Sequence, residues 1–255
     1  SIKDGSSNDA TLLLPAPGAT GSLGANKNLV ISTGLAAVVD VTSSKADGTY
    51  PTGTNISVRV KFSKVVDVLG TPTLKLGTGG AGYAVEYSGG TGTTTLTFGY
   101  QVQSGHVAAD LDYTDTAALA LAGGTIKDTV GQNALLGLPP PSAAGSLGAN
   151  KNLVIDTTAP IVNSVSSTTA NNFYDVGAPV DVRVVFSEPV TVTGTPVLLL
   201  ETGTIDHSAT YVSGSGTATI VFAYQVQAGD QSTDLDYAST SALTGGTITD
   251  IAGND

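Results

Sequence analysis

Ile56-Ser57-Val58-Arg59-Val60-Lys61-Phe62 places an apolar side chain at every second position and a polar one between. Successive side chains of a β-strand point to opposite faces, so this spacing predicts a strand with one face buried and the other wet. Val180, Val182, Val184 and Phe186 repeat the pattern further along the chain. Leu96, Phe98, Tyr100 and Val102 alternate in the same way, and Ile220, Phe222, Tyr224 and Val226 follow suit. Turn formers separate the runs: Gly89-Gly90, Ser213-Gly214-Ser215-Gly216 and Gly245-Gly246. Helical periodicity is confined to a turn near 114–122. About seven short strands per repeat, joined by turns, predict an all-β chain of antiparallel β-sandwich modules.

Those strands recur because the chain is an internal repeat. Gly21-Ser22-Leu23-Gly24-Ala25-Asn26-Lys27-Asn28-Leu29-Val30-Ile31 returns letter for letter at Gly145–Ile155. Gly70-Thr71-Pro72, Tyr100-Gln101-Val102-Gln103 and Asp110-Leu111-Asp112-Tyr113 each return 124 residues later. Residues 33–119 align with 157–243 without a gap, with 39 identities in 87 positions. Residues 1–31 match 125–155, the end of the first repeat, while 247–255 match 1–9. The expected organisation is therefore a closing-strand segment over 1–31, a whole repeat over 32–155, and a repeat over 156–255 that lacks its last strand. This phase predicts either a window on a longer array or a subunit that lends its N-terminal strand to a neighbour. In both cases the second repeat is expected to be completed by a strand it does not own.

Composition narrows the function classes. Hydrophobic residues make up 40% of the 255, enough for a packed core, while charged residues make up only 12%. Cysteine, methionine and tryptophan are absent, which removes disulfides, thiolate nucleophiles and cysteine metal sites. The net charge of −11 disfavours nucleic acid and anionic lipid as partners and attracts cations. No apolar run is long enough to span a membrane, and Ser1-Ile2-Lys3-Asp4-Gly5 is not a signal peptide. Residues 156–255 carry 11 acids and one base, Arg183, against 8 acids and 7 bases in 32–155. Cation binding is therefore expected in the second repeat first.

The acids also cluster locally. Asp110 and Asp112 stand two apart at an expected strand edge, so their carboxylates point to one side; Asp234 and Asp236 repeat this, with Asp230 just before. A hard cation with oxygen ligands would relieve their mutual repulsion, and solvated edge carboxylates are the alternative. A glycosidase-type acid/base pair needs carboxylates across a cleft, and same-strand pairs once per repeat read as architecture. His106 and His207 fall at non-equivalent positions of the alignment, and His106 replaces Asp230. No G-x-S-x-G elbow, phosphate-binding Gly-Lys loop or H-E-x-x-H is present, so no enzymatic activity is expected.

Val184-Val185-Phe186-Ser187-Glu188-Pro189-Val190, Asp250-Ile251-Ala252-Gly253-Asn254 and Ile155-Asp156-Thr157-Thr158-Ala159-Pro160 resemble the signatures of bacterial immunoglobulin-like repeats of large surface adhesins. The first repeat departs at all three places, with Ser32-Thr33-Gly34-Leu35-Ala36, Lys64-Val65 and Asp128-Thr129-Val130-Gly131-Gln132. The resemblance implies tandem immunoglobulin-like sandwiches on the outside of a bacterial cell, with calcium near linkers and module ends. Asp156, Glu188 and Asp250 sit at such places, and Asp128 is the first-repeat counterpart of Asp250. The function implied is a structural spacer or fibre segment. Its partners would be neighbouring repeats or identical subunits end to end. A filament subunit assembled by strand donation is one alternative. A carbohydrate- or surface-binding module, with a surface glycan as partner, is the other.

Overall fold

The computed structural model describes residues 1–27, 29 and 34–255. Of the positions singled out above, Asn28, Val30, Ile31, Ser32 and Thr33 lie outside the described residues. The chain divides into two compact units, Ser1–Leu35 and Ala36–Asp255.

Among its described residues, the smaller unit has one regular element, the single helical turn α1 (Leu23–Asn26). Ser22 caps it by accepting the Ala25 N–H on its hydroxyl, as short polar side chains do at helix N-termini. Ahead of it, Asp4 accepts the N–H groups of Ser6 and Asn8 on one carboxylate oxygen and the Asn8 amide on the other. Leu12, Leu13, Leu14, Leu23 and Leu29 are all exposed, so the leucines among this unit's described residues form no core.

The larger unit holds two curled antiparallel sheets, each around its own core. The first module runs β1 (Val38–Ser43), β2 (Gly48–Tyr50), β3 (Asn55–Leu69), β4 (Thr73–Leu76), β5 (Tyr83–Gly89), β6 (Thr93–Gln101), β7 (Leu119–Ala120), β8 (Thr125–Asp128), a helical turn α2 (Leu147–Asn150) and β9 (Leu153–Ile155). Its main sheet has the order β1-β3-β6-β5-β4-β7, and β8 pairs with the far half of β3. β3 can serve both because its register breaks between Lys61 and Val66: residues up to Lys61 pair with β6, Val66 meets both Thr93 of β6 and Asp128 of β8, and Asp67–Leu69 pair with β8. The predicted period holds along its first half, with Ile56, Val58, Val60 and Phe62 inward. Gly90 ends the β5–β6 hairpin at a positive φ of 108°, and a Cβ there would fall 2.1 Å from the Thr95 carbonyl oxygen, so no side chain fits.

The second module runs β10 (Val162–Ser166), β11 (Pro179–Glu201), β12 (His207–Ser213), β13 (Thr217–Gln225), β14 (Asp236–Tyr237) and β15 (Leu243–Thr249). β11 merges the counterparts of β3 and β4 into one 23-residue strand. It shifts register between Val185 and Val190, around Pro189, whose ring nitrogen has no proton to give a sheet.

The sequence reading holds at the level of all-β modules with antiparallel, period-two strands. Two expectations differ. Strands are fewer but longer in the second module, because β11 passes from one pairing partner to another without ending. The helical turn expected near 114–122 is a bend and the short β7; helix forms instead at the two copies of Leu-Gly-Ala-Asn, where a serine cap is available.

Residues 134–155 close the first module. Leu138, Leu147, Leu153 and Ile155 enter its core. β9 pairs in parallel with β2, and the Leu111 N–H donates to the Leu153 carbonyl (2.8 Å). Where β9 lies there is β2; the counterpart of β2, residues 172–174, forms no strand. Leu111 is 0% exposed and its counterpart Leu235 is 38% exposed; Tyr113 and Tyr237 stand at 2% and 38%. Leu147→Ala should destabilise the first module by about 2–5 kcal/mol, whereas Leu23→Ala, at an exposed position of the smaller unit, should change that transition by less than about 0.5 kcal/mol. Guanidinium unfolding of the two variants checks this; equal effects would show that α2 does not anchor the core.

Candidate functional site

The linker between the modules is held from both sides. On the first-module side, the Asp156 N–H donates to the Tyr50 carbonyl (3.2 Å). Thr157 Oγ1 donates to the His106 carbonyl (3.0 Å) and accepts the Gly105 N–H (3.0 Å). On the second-module side, the Asn254 amide donates to the carbonyls of Asp156 (3.1 Å) and Thr158 (3.4 Å). The same amide reaches the Asp250 carboxylate at 2.7 Å. Asn254 thus ties the linker to the Asp250 turn.

Asp250 is buried, and its Oδ1 accepts the N–H groups of Gly253 (2.7 Å) and Asn254 (2.8 Å). Its counterpart Asp128 does the same with Val130 (3.1 Å) and Gln132 (2.9 Å). Asp4 forms the third copy of this turn. The turn is therefore a local device: an aspartate satisfies the N–H groups of the loop that follows it.

Among the described residues, the turn meets two other acids in the second module alone. One carboxylate oxygen each from Asp156, Glu188 and Asp250 lie within 4.8 Å of one another. In the first module Lys64 takes the place of Glu188. Burial first, then the facing charges of Asp156 and Asp250, push the Glu188 carboxyl above its ordinary range. Arg183, the one base among residues 156–255, is engaged by Asp181 at 3.1 Å, so the cluster has no basic neighbour from its own module. The donor set is all oxygen, the kind a hard cation takes, although Asp250 already accepts hydrogen bonds on both its oxygens and Asp156 accepts the Thr158 N–H (3.0 Å).

The remaining candidates do different things. Asp110 and Asp112 do point to one side, and their Oδ2 atoms face Gly148, where a Cβ would sit 3.3 and 3.0 Å from them. Asp112 accepts the Ser142 N–H (2.9 Å), and Asp110 accepts the Leu153 N–H. Burial and the neighbouring charges still leave the Asp110 carboxyl above its usual range. Both aspartates therefore receive the closing segment. Asp234 and Asp236 are exposed. Neither pair belongs to a three-carboxylate group among the described residues.

Asp230 belongs to a third arrangement. Its Oδ2 accepts from the Tyr224 hydroxyl and the Gln227 N–H, and its Oδ1 lies 2.9 Å from His207 Nδ1. Burial pushes this carboxyl up, but these donors outweigh it and hold it below its usual range. In the first module Tyr100 hydrogen-bonds instead to His106 Nδ1 (3.0 Å), and the His106 ring lies 4.8 Å from that of Tyr83. Tyr83 is the counterpart of His207. The two histidines, non-equivalent in the alignment, thus occupy opposite ends of one contact pair: tyrosine–histidine in one module, histidine–aspartate in the other.

Sequence reasoning missed Asp181. It accepts from Ser167, Thr168, Thr169 and Arg183. Hydrogen bonds, the Thr168 hydroxyl foremost, hold its carboxyl far below the ordinary range in spite of burial. The run Ser167-Thr168-Thr169 was the available signal, since three hydroxyl donors in succession suit one anion. No family model matches the sequence, and no curated protein matches it either.

Two outcomes follow. Glu188 titrates higher folded than unfolded, so its contribution is fully present at low pH and is lost as pH rises through the folded value. Glu188→Gln should therefore raise the melting temperature of the second module near pH 7.5 in chelator; a fall would mean the carboxylate is not repelled. Burial holds the His106 imidazole below its usual range. The first module should therefore lose stability as pH falls below about 6.5, and His106→Gln should flatten that dependence in denaturant titrations at pH 7.5 and 5.5.

Proposed function

We propose that this chain is a structural stretch of an extracellular bacterial fibre or surface adhesin, built of tandem immunoglobulin-like sandwiches. The observation that carries this reading is the linker. Asp156–Thr158 hydrogen-bonds to Tyr50, Gly105 and His106 on one side and to Asn254 on the other. A linker bonded to both modules resists bending, which a spacer needs and a flexible tether does not. The repeated module with divergent surface residues, and the resemblance of its linker to those of surface adhesins, support the same conclusion.

Calcium belongs to this proposal. Asp156, Glu188 and Asp250 are the residues that would hold it, one from the linker, one from the bend of β11 and one from the turn that Asn254 ties to the linker. A bound cation would offset the repulsion on Glu188 and cross-brace the junction. Sites of this extracellular kind bind at roughly 0.1–1 mM, so 10 mM calcium should stabilise the second module by about 1–3 kcal/mol. Melting curves in calcium and in chelator test this, with Glu188→Gln expected to abolish the difference. Identical curves for the unsubstituted chain would remove calcium from the account. Antibody labelling of intact source cells tests the location: signal only after permeabilisation would overturn the extracellular reading.

A further inference from the structure

The second module carries an open groove of about 1060 Å³. Val165, Val180, Val182, Leu200, Leu235 and Tyr237 are among the residues that line it. In the first module the same positions, Val41, Ile56, Val58, Leu76, Leu111 and Tyr113, are all buried. There the closing segment 134–155 covers them. An aliphatic and aromatic groove of this size, edged by unpaired strand, is a site for another strand segment.

We infer that this groove binds residues 10–29 of a second copy of this chain. The inference deepens the structural reading and rests on it, because it names the partner of the same module. Residues 21–29 are identical to 145–153, and residues 10–20 keep Ala10, Leu12, Leu14, Pro15, Pro17 and Ala19 at matching places.

The segment is already shaped for the site. Gly21 and Gly145 share φ values of 86° and 87°, and both copies form the serine-capped turn. The Ala19 N–H donates to the Ala16 carbonyl and the Ser22 N–H to the Ala19 carbonyl, as Ala143 and Ser146 do in the buried copy. Its leucines wait in water: Leu23 is 69% and Leu29 67% exposed, against 0% for both Leu147 and Leu153. Preorganised backbone lowers the entropic cost of docking.

The groove also keeps the polar partners. In the first module Tyr113 donates to the Pro139 carbonyl (2.5 Å), Leu138 N–H to the Thr116 carbonyl (2.9 Å), Leu111 N–H to Leu153, and Ser142 N–H to Asp112. The corresponding pairs are Tyr237 with Pro15, Leu14 with Thr240, Leu235 with Leu29, and Gly18 with Asp236. In the first three, each residue is identical to its first-module counterpart. The exposed Asp236 is the acceptor awaiting the Gly18 N–H. Gly24 supplies the flat surface that Gly148 presents to Asp110 and Asp112.

The chain contains no cysteine, so introduced pairs report without background. Full-length Leu29→Cys mixed with full-length Leu235→Cys under mild oxidation should give a disulfide-linked dimer. The double variant should give a ladder of linked chains. Leu23→Asp should weaken concentration-dependent association by about 30-fold or more in light scattering, with the first-module melting transition unchanged. Chains that stay monomeric at all concentrations and form no cross-link would overturn the inference, while the calcium and cell-labelling results would still stand or fall separately. A double variant that closes into a cross-linked monomer would equally overturn it, since the occupant would then be the chain's own segment.

Discussion

Leu147 and Leu153 reach the floor of a core whose other walls were laid down by β1, β3 and β6, the first of them more than a hundred residues earlier in the chain. Their burial, and the parallel β2–β9 pairing that accompanies it, decide whether the module is closed. With them in place, Leu111 and Tyr113 are buried, Asp110 and Asp112 have backbone N–H groups to accept, and β2 exists as a strand. Without such a segment, the counterpart residues of the second module turn outward and the counterpart of β2 does not form. The hydrophobic term dominates here, because a handful of leucines hide both their own surface and the apolar surface beneath them.

The strands were legible because they follow one rule, alternation, over long enough runs to leave no other period. The repeat was legible because the two copies keep the core and turn residues in step. What escaped was non-local. Nothing in the spacing of Asp110 and Asp112 says that their partners are the N–H groups of Leu153 and Ser142, thirty to forty residues on. The merging of two strands into β11 was hidden because Gly194-Thr195-Pro196 reads as a turn, as Gly70-Thr71-Pro72 does, although strand pairing continues across it, with Gly194 at a φ of 83° and a register shift before Val197. The carboxylate group at the linker was half visible: Asp156, Glu188 and Asp250 are far apart in sequence and meet where β11 shifts register beside the Asp250 turn.

The aspartate turn shows which parts of the chain are locally determined. Asp4, Asp128 and Asp250 build the same loop in three surroundings, and the Leu-Gly-Ala-Asn turn forms equally in water and in a core. The Tyr83–His106 and His207–Asp230 contacts show the opposite case, where residue identity is free to change provided both partners change together.

The late position of β9 also sets an order of events during synthesis. Gly48 pairs with Leu153, more than a hundred residues downstream, so the first module stays open until its own end has left the ribosome. Throughout that interval residues 10–29, made earlier and carrying Leu12, Leu14, Leu23 and Leu29 at matching places, are attached to the same nascent chain. Two closing segments, identical over 21–29 and 145–153 and alike before that, are then both present while one opening waits. Of two segments so alike, the one whose tether brings it to the opening in time is favoured, whatever their intrinsic affinities.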